Sequence, residues 1–181
     1  MKKLILSLAI LSASLVWAQK KEIANAVKAV DSGDLATANS EISKAEGIFG
    51  DKTYLLEPSV LEQYYYAKGL SLLKAGKNIE GAEYLAKIST LGTEEIYTGK
   101  DAEKNKVYFV GKAAADKSGS GLSLKQEKYS PALTEKLREA IDPLLRKANE
   151  AATTSYNNKK FDVAGEKFAE TYYLFKAAGQ D

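Results

Sequence analysis

Apolar residues recur at three- and four-residue spacing through most of the chain, and three times the rhythm stops at a short turn and resumes. In the first copy, Ile23, Val27 and Val30 lead into "SGD" at 32–34, and Leu35, Ala38, Ile42, Ala45 and Phe49 follow. In the second, Tyr65, Gly69, Leu72 and Leu73 lead into "AGK" at 75–77, then Ala82, Leu85 and Ile88. In the third, Ala148, Ala152 and Tyr156 lead into "NNKK", then Phe161, Ala164, Phe168 and Tyr172. This spacing predicts paired amphipathic helices over 20–49, 62–88 and 146–175, with Gly33 able to take the positive φ of a helix C-cap.

A small residue falls early in each second helix: Ala38, Ala82 and Ala164. Where antiparallel helices cross closely, a small side chain lets the backbones approach. A larger residue four positions on, Ile42 or Phe168 but Ala86 in the second copy, then fills the space beyond. One such hairpin leaves its apolar stripe in water, and stacked neighbours bury it. The predicted fold is therefore mainly α, an α-solenoid of stacked helical hairpins in a single domain over 19–181.

The stretches "AKGLSLLKAGKNIEGA" (67–82) and "YNNKKFDVAGEKFAE" (156–170) resemble the tetratricopeptide repeat (TPR) family, and "GDLATANSEI" (33–42) is a looser match. They carry the family's small residue in the first helix, its turn, and the Ala-x-x-x-Phe of the second. Lys159 stands where the family has a turn Gly, and the family's Trp is missing from the first helices. In context, "YYYAKGLSLLKAGK" and "YLFKAAGQD" are similar to the amino-terminal part of exported TPR proteins of the Bacteroidetes. The resemblance implies a TPR-like stack that binds protein or peptide.

Ala38 to Ala82 is 44 residues and Ala82 to Ala164 is 82, against a family period of about 34. The first gap holds the connection "GDKTYLLEPSV" (50–60), with Pro58 expected at a helix start. The second needs an insertion over 89–130. Within it, Ile96-Tyr97 and Val107-Tyr108-Phe109-Val110 are β-prone runs on either side of a charged turn, so a small β-hairpin over 94–112 fits best, with a decayed helix pair as the alternative. "DKSGSGLS" (116–123) reads as a loop. Ser130 and Pro131 are placed to cap and open the next helix, which Pro143 should kink or break.

The start of the chain changes the charge. Residues 1–18, "MKKLILSLAILSASLVWA", run from basic to apolar to a small residue, the layout of a signal peptide cleaved between Ala18 and Gln19. Cleavage shortens the 181-residue chain to 163 and removes Lys2 and Lys3, leaving 24 Lys and Arg against 24 Asp and Glu. The expected protein is periplasmic or secreted, not inserted in the membrane after cleavage, and without the basic surface that nucleic acid requires.

The chain has no Cys and no His. That removes disulfides, thiol nucleophiles, lipid attachment at Cys, the usual general base and the commonest zinc ligand. No catalytic, cofactor or metal site is expected. Carboxylate chemistry remains, but pairs such as Glu135/Glu139 and Glu166/Glu170 sit at the spacing of a solvated helix face.

Three functions stand. The first is a non-enzymatic scaffold for protein or peptide, lined by first helices through Gln63, Tyr66, Leu70 and Leu73 in the second copy and Arg146, Asn149, Thr153 and Tyr156 in the third. For the apolar members, plain core is the competing role. The second is a module for a glycan or cell-wall fragment, which needs Tyr side chains gathered in one exposed groove. The third is a hydrolase with two acids across a cleft. The run Tyr64-Tyr65-Tyr66 covers about 200° of helical arc, so one ring must meet a surface, a partner or the 50–60 connection. At the C-terminal end, Tyr172, Tyr173 and Phe175 either pack inward, or meet a continuing array, or self-associate. Continuation is the expectation among these three.

Overall fold

The computed structural model describes residues 18–118, 121–126 and 129–179, so the signal segment lies outside the described residues except for Ala18. Among the described residues, six of seven α-helices form three hairpins. The first pairs helical residues 18–32 (α1) with α2 (Leu35–Phe49). The second pairs α3 (Pro58–Lys74) with α4 (Asn78–Thr93), and the third pairs α6 (Thr134–Asn157) with α7 (Phe161–Ala177). A short α5 (Lys112–Lys117) and a small sheet fill the interval between the second and third hairpins.

The three turns share one geometry. Gly33 N–H reaches Val30 C=O and Asp34 N–H reaches Ala29 C=O. The same pair of bonds joins Gly76 to Leu73 and Lys77 to Leu72, and again Lys159 to Tyr156 and Lys160 to Ser155. Each is a Schellman cap, which satisfies carbonyls that the helix end leaves free. The residue at its centre has φ +83 at Gly33, +80 at Gly76 and +60 at Lys159. Lys159 thus holds the left-handed conformation that the other two turns give to glycine.

Aligning the hairpins on these turns corrects one register. The counterpart of Ala38 and Ala164 is Gly81, one residue before Ala82, and the larger residue four on is Leu85 rather than Ala86. The facing positions on the first helices are Ala26, Gly69 and Ala152, all small. At the second crossing a Cβ on Gly81 would lie 2.7 Å from the Gly69 carbonyl oxygen, and one on Gly69 would lie 2.5 Å from Leu85. The backbones touch where the sequence offers no side chains to separate them.

The first helices run parallel to one another, as do the second helices. Asp31 and Lys20 of α1 meet Tyr66 and Glu57 beside or on α3, while α7 follows α4, with the Ser89 hydroxyl on the Lys176 carbonyl. One core of Ile23, Val30, Ile42, Phe49, Leu61, Tyr66, Leu85, Ile88, Leu137, Ile141 and Leu174 runs through all three hairpins.

In the insertion, β1 (Ile96–Lys100) pairs antiparallel with β2 (Lys106–Val110), Ile96 opposite Val110, as the β-prone runs predict. A third strand, β3 (Ser123–Gln126), joins the other edge of β1, giving the order β2-β1-β3. In the stretch 116–123, expected as loop, Ser118, Gly121 and Leu122 lie outside helix and strand, while its edges close α5 at Lys117 and open β3 at Ser123. The sheet rests on the 50–57 connection, where Tyr54 stacks on Phe109 with ring centroids 5.3 Å apart.

One expectation for α6 fails. Its first helical residue is Thr134, not Pro131, because its start is capped from elsewhere: Glu62 Oε1 accepts Leu133 N–H at 2.6 Å. Pro143 neither ends nor divides the helix. Pro143 and Glu139 are both exposed, so the carbonyl freed one turn earlier faces water. Pro58, as expected, opens α3.

Candidate functional site

Measured from the turns, Gln63, Tyr66, Leu70 and Leu73 are the positional equivalents of Arg146, Asn149, Thr153 and Tyr156. The two sets are one face of the first helix in successive hairpins, and the structure treats them oppositely. Tyr66, Leu70 and Leu73 are buried in the core and Gln63 is half-buried, so no ligand reaches the three buried side chains without displacing neighbours. Arg146, Asn149, Thr153 and Tyr156 are all exposed, Tyr156 at 58%.

Tyr66 is enclosed by helices on both sides. Its hydroxyl donates to Asp31 of α1 at 2.9 Å, and Lys136 of α6 lies over its ring, 5.4 Å from the centroid, while also pairing with Asp31. Burial, followed by the Asp31 carboxylate, pushes the Tyr66 hydroxyl well above its ordinary range. Four residues earlier, Glu62 is 2% exposed and takes both Leu133 N–H and the Tyr129 hydroxyl, the latter at 2.6 Å. A carboxylate at the start of α6 also complements the helix dipole. Lys74 completes the set by donating to the Val30 carbonyl at the end of α1. The face of α3 therefore serves to clamp α1 and α6.

The α6 set is free because the third hairpin is displaced toward its own turn. The start of α6, not its middle, meets Glu62, and the Glu166–Glu170 turn of α7 lies beside the α3–α4 turn. The last turns of α6 project beyond that turn and expose Asn149, Thr153 and Tyr156, the Tyr156 ring meeting Phe161 of α7 with centroids 5.7 Å apart. An open cleft of about 260 Å³ lies between the α3–α4 turn and α7, lined by Lys77, Ile79, Glu80, Glu166, Lys167 and Glu170. Lys77 pairs with Glu80 at 3.5 Å and Lys167 with Glu170 at 2.7 Å, so the cleft carries charge of both signs. Among the described residues no three Asp, Glu, His or Cys side chains converge to hold a metal, and no helix is long and apolar enough to cross a membrane.

The tyrosine run resolves by neighbour. Tyr64 and Tyr66 are buried, and Tyr65 is half-buried, its ring beside those of Tyr64 and Tyr84, with its hydroxyl pushed by burial up to about 12. Beyond it, Tyr64, Tyr66, Tyr97, Tyr108 and Tyr129 each donate to a carboxylate of this chain: Glu46, Asp31, Glu95, Glu57 and Glu62. Tyr173 is half-buried against the core, whereas Tyr172 and Phe175 stay exposed, so the rings at the C-terminal end divide between inside and outside.

Phe161, Phe168 and Tyr172, which the periodicity assigns to the apolar stripe with Ala164, are 60%, 45% and 56% exposed. Phe168 corrects the expectation that it fills space beside Ala164: its equivalents Ile42 and Leu85 are buried, whereas Phe168 lies on the side of α7 turned away from α4 and α6 and stays 45% exposed. No sequence signal separates these cases. The fold defines the class, a stack of helical hairpins with packed neighbours. No protein family, curated protein or solved structure matches the chain.

Proposed function

We propose that this chain is an exported, non-enzymatic scaffold of TPR-like helical hairpins that binds protein or peptide in the periplasm, akin to the exported TPR proteins of the Bacteroidetes that its sequence resembles. The observation that carries this reading is the open face of α6. Arg146, Asn149, Thr153 and Tyr156 are solvent-facing at positions whose α3 counterparts are buried or half-buried in the stack. An open helix face with a cation, two amide or hydroxyl groups and an aromatic end suits a helical or extended peptide. Export rests on the layout of residues 1–18.

The distribution of tyrosines favours this over a glycan module, since five of the eleven hydroxyls are engaged by the chain's own carboxylates rather than gathered in one groove. The test is a pulldown from the periplasm of the native host with wild type, Tyr156→Ala and Arg146→Ala. Loss of the same captured proteins in both variants, with unchanged circular dichroism, supports the reading; an unchanged capture profile removes the α6 face from it. N-terminal sequencing of the exported protein checks processing, with Gln19 as the expected first residue.

A further inference from the structure

The outer side of α7 carries Phe161, Gly165, Phe168, Tyr172 and Phe175, spaced alternately by four and three. That is the a/d alternation of a coiled-coil seam, which packs against another helix at a shallow angle. The four rings are 41–60% exposed, and a Cβ on Gly165 would meet nothing within 4 Å. We propose that this seam is a self-association face, occupied by α7 of a second copy of the chain running antiparallel.

Size complementarity selects the occupant and its direction. With Phe168 of one copy opposite Tyr172 of the other, Phe175 falls opposite Gly165, so a ring fills each open notch and the match occurs twice by symmetry. A parallel pairing in register would instead place Gly165 against Gly165 and leave a void. Charge agrees. Asp162 and Lys176 are exposed and flank the same side of the seam, each one residue after a Phe. In the antiparallel register Asp162 of one copy meets Lys176 of the other at both ends, as flanking positions do in antiparallel coils.

A further hairpin of the same kind suits the face less well. The α4 positions equivalent to Gly165, Tyr172 and Phe175 are Ala82, Ser89 and Gly92. There the third hairpin approaches closely, the Ser89 hydroxyl bonding the Lys176 backbone and Gly92 facing Pro131. Two rings at the corresponding places on α7 prevent that backbone approach and call for side-chain interdigitation.

Sedimentation velocity on the purified chain across a concentration series tests this. Wild type should show a reversible monomer–dimer equilibrium. Phe168→Glu, at a half-exposed position, should retain wild-type circular dichroism and weaken dimerisation about a hundredfold. Asp162→Lys and Lys176→Asp should each weaken it about three- to tenfold, and the combined charge swap should restore it. A wild-type chain that is monomeric throughout, a dimer indifferent to Phe168→Glu, or single reversals that the swap does not rescue would each overturn the proposal. It does not depend on what the α6 face binds.

Discussion

The second and third hairpins share turn geometry, small-residue crossings and the spacing of their apolar positions, yet one is core and the other is surface. Leu73 and Leu85 are buried in the second; their counterparts Tyr156 and Phe168 face water in the third. Neighbours account for the difference. The second hairpin lies between α1 and α2 on one side and α6 and α7 on the other, whereas among the described residues the third has a neighbour on one side and projects past it. A repeat pattern thus specifies a hairpin, and its position in the stack decides which stripe becomes an interface.

Alkali should break the comparison most completely. Tyr65 and Tyr108 are pushed up to about 12, chiefly by burial, and Tyr64, Tyr66 and Tyr129 higher still, from an ordinary 10.0. Folding favours their neutral forms, so this stabilisation is intact below pH 10 and is lost as the pH rises through the folded-state values. A fluorescence-monitored pH titration should show unfolding above pH 10 together with a late, steep rise in tyrosinate absorbance. A gradual rise with no unfolding would contradict these environments.

Next in size is Glu62→Leu, which strands the Leu133 N–H and the Tyr129 hydroxyl and should cost about 3 kcal/mol in urea unfolding. Asn149→Leu in the third hairpin should stay within about 0.5 kcal/mol. Glycine gives a sharper contrast. Gly81→Ala forces a methyl against the Gly69 carbonyl and should cost about 2 kcal/mol, whereas Gly165→Ala meets open space and should gain up to about 1 kcal/mol from helix propensity. Smallest is Lys159→Gly, which relieves a left-handed lysine and should raise stability by about 1 kcal/mol or less; the same change at Lys160, where φ is −88, should lower it.

Local features were legible in the sequence: the three turns, the helix pairs, the β-hairpin, Pro58 as a helix start and Lys159 as the odd member of a glycine position. Features set at long range were not. Ser130-Pro131 has the form of a helix start, but α6 is capped by a carboxylate 71 residues away in sequence. The second crossing was displaced by one because Gly81 and Ala82 are both small, and only the close backbone contact tells them apart. Of the candidate face, the sequence supplied the eight positions but not their division into clamp and open surface, since Tyr66 and Tyr156 look alike until their neighbours are known.

Lys136 reaches across Tyr66 to Asp31, joining the third hairpin to the first over the top of the second. In a solenoid where each unit touches only the next, melting can begin at an end and spread inward. A bond that skips a unit opposes such fraying: loosening either terminal hairpin also weakens the clamp on the other. The array should therefore melt in one cooperative step rather than by successive hairpins, with far-ultraviolet and tyrosine signals changing together.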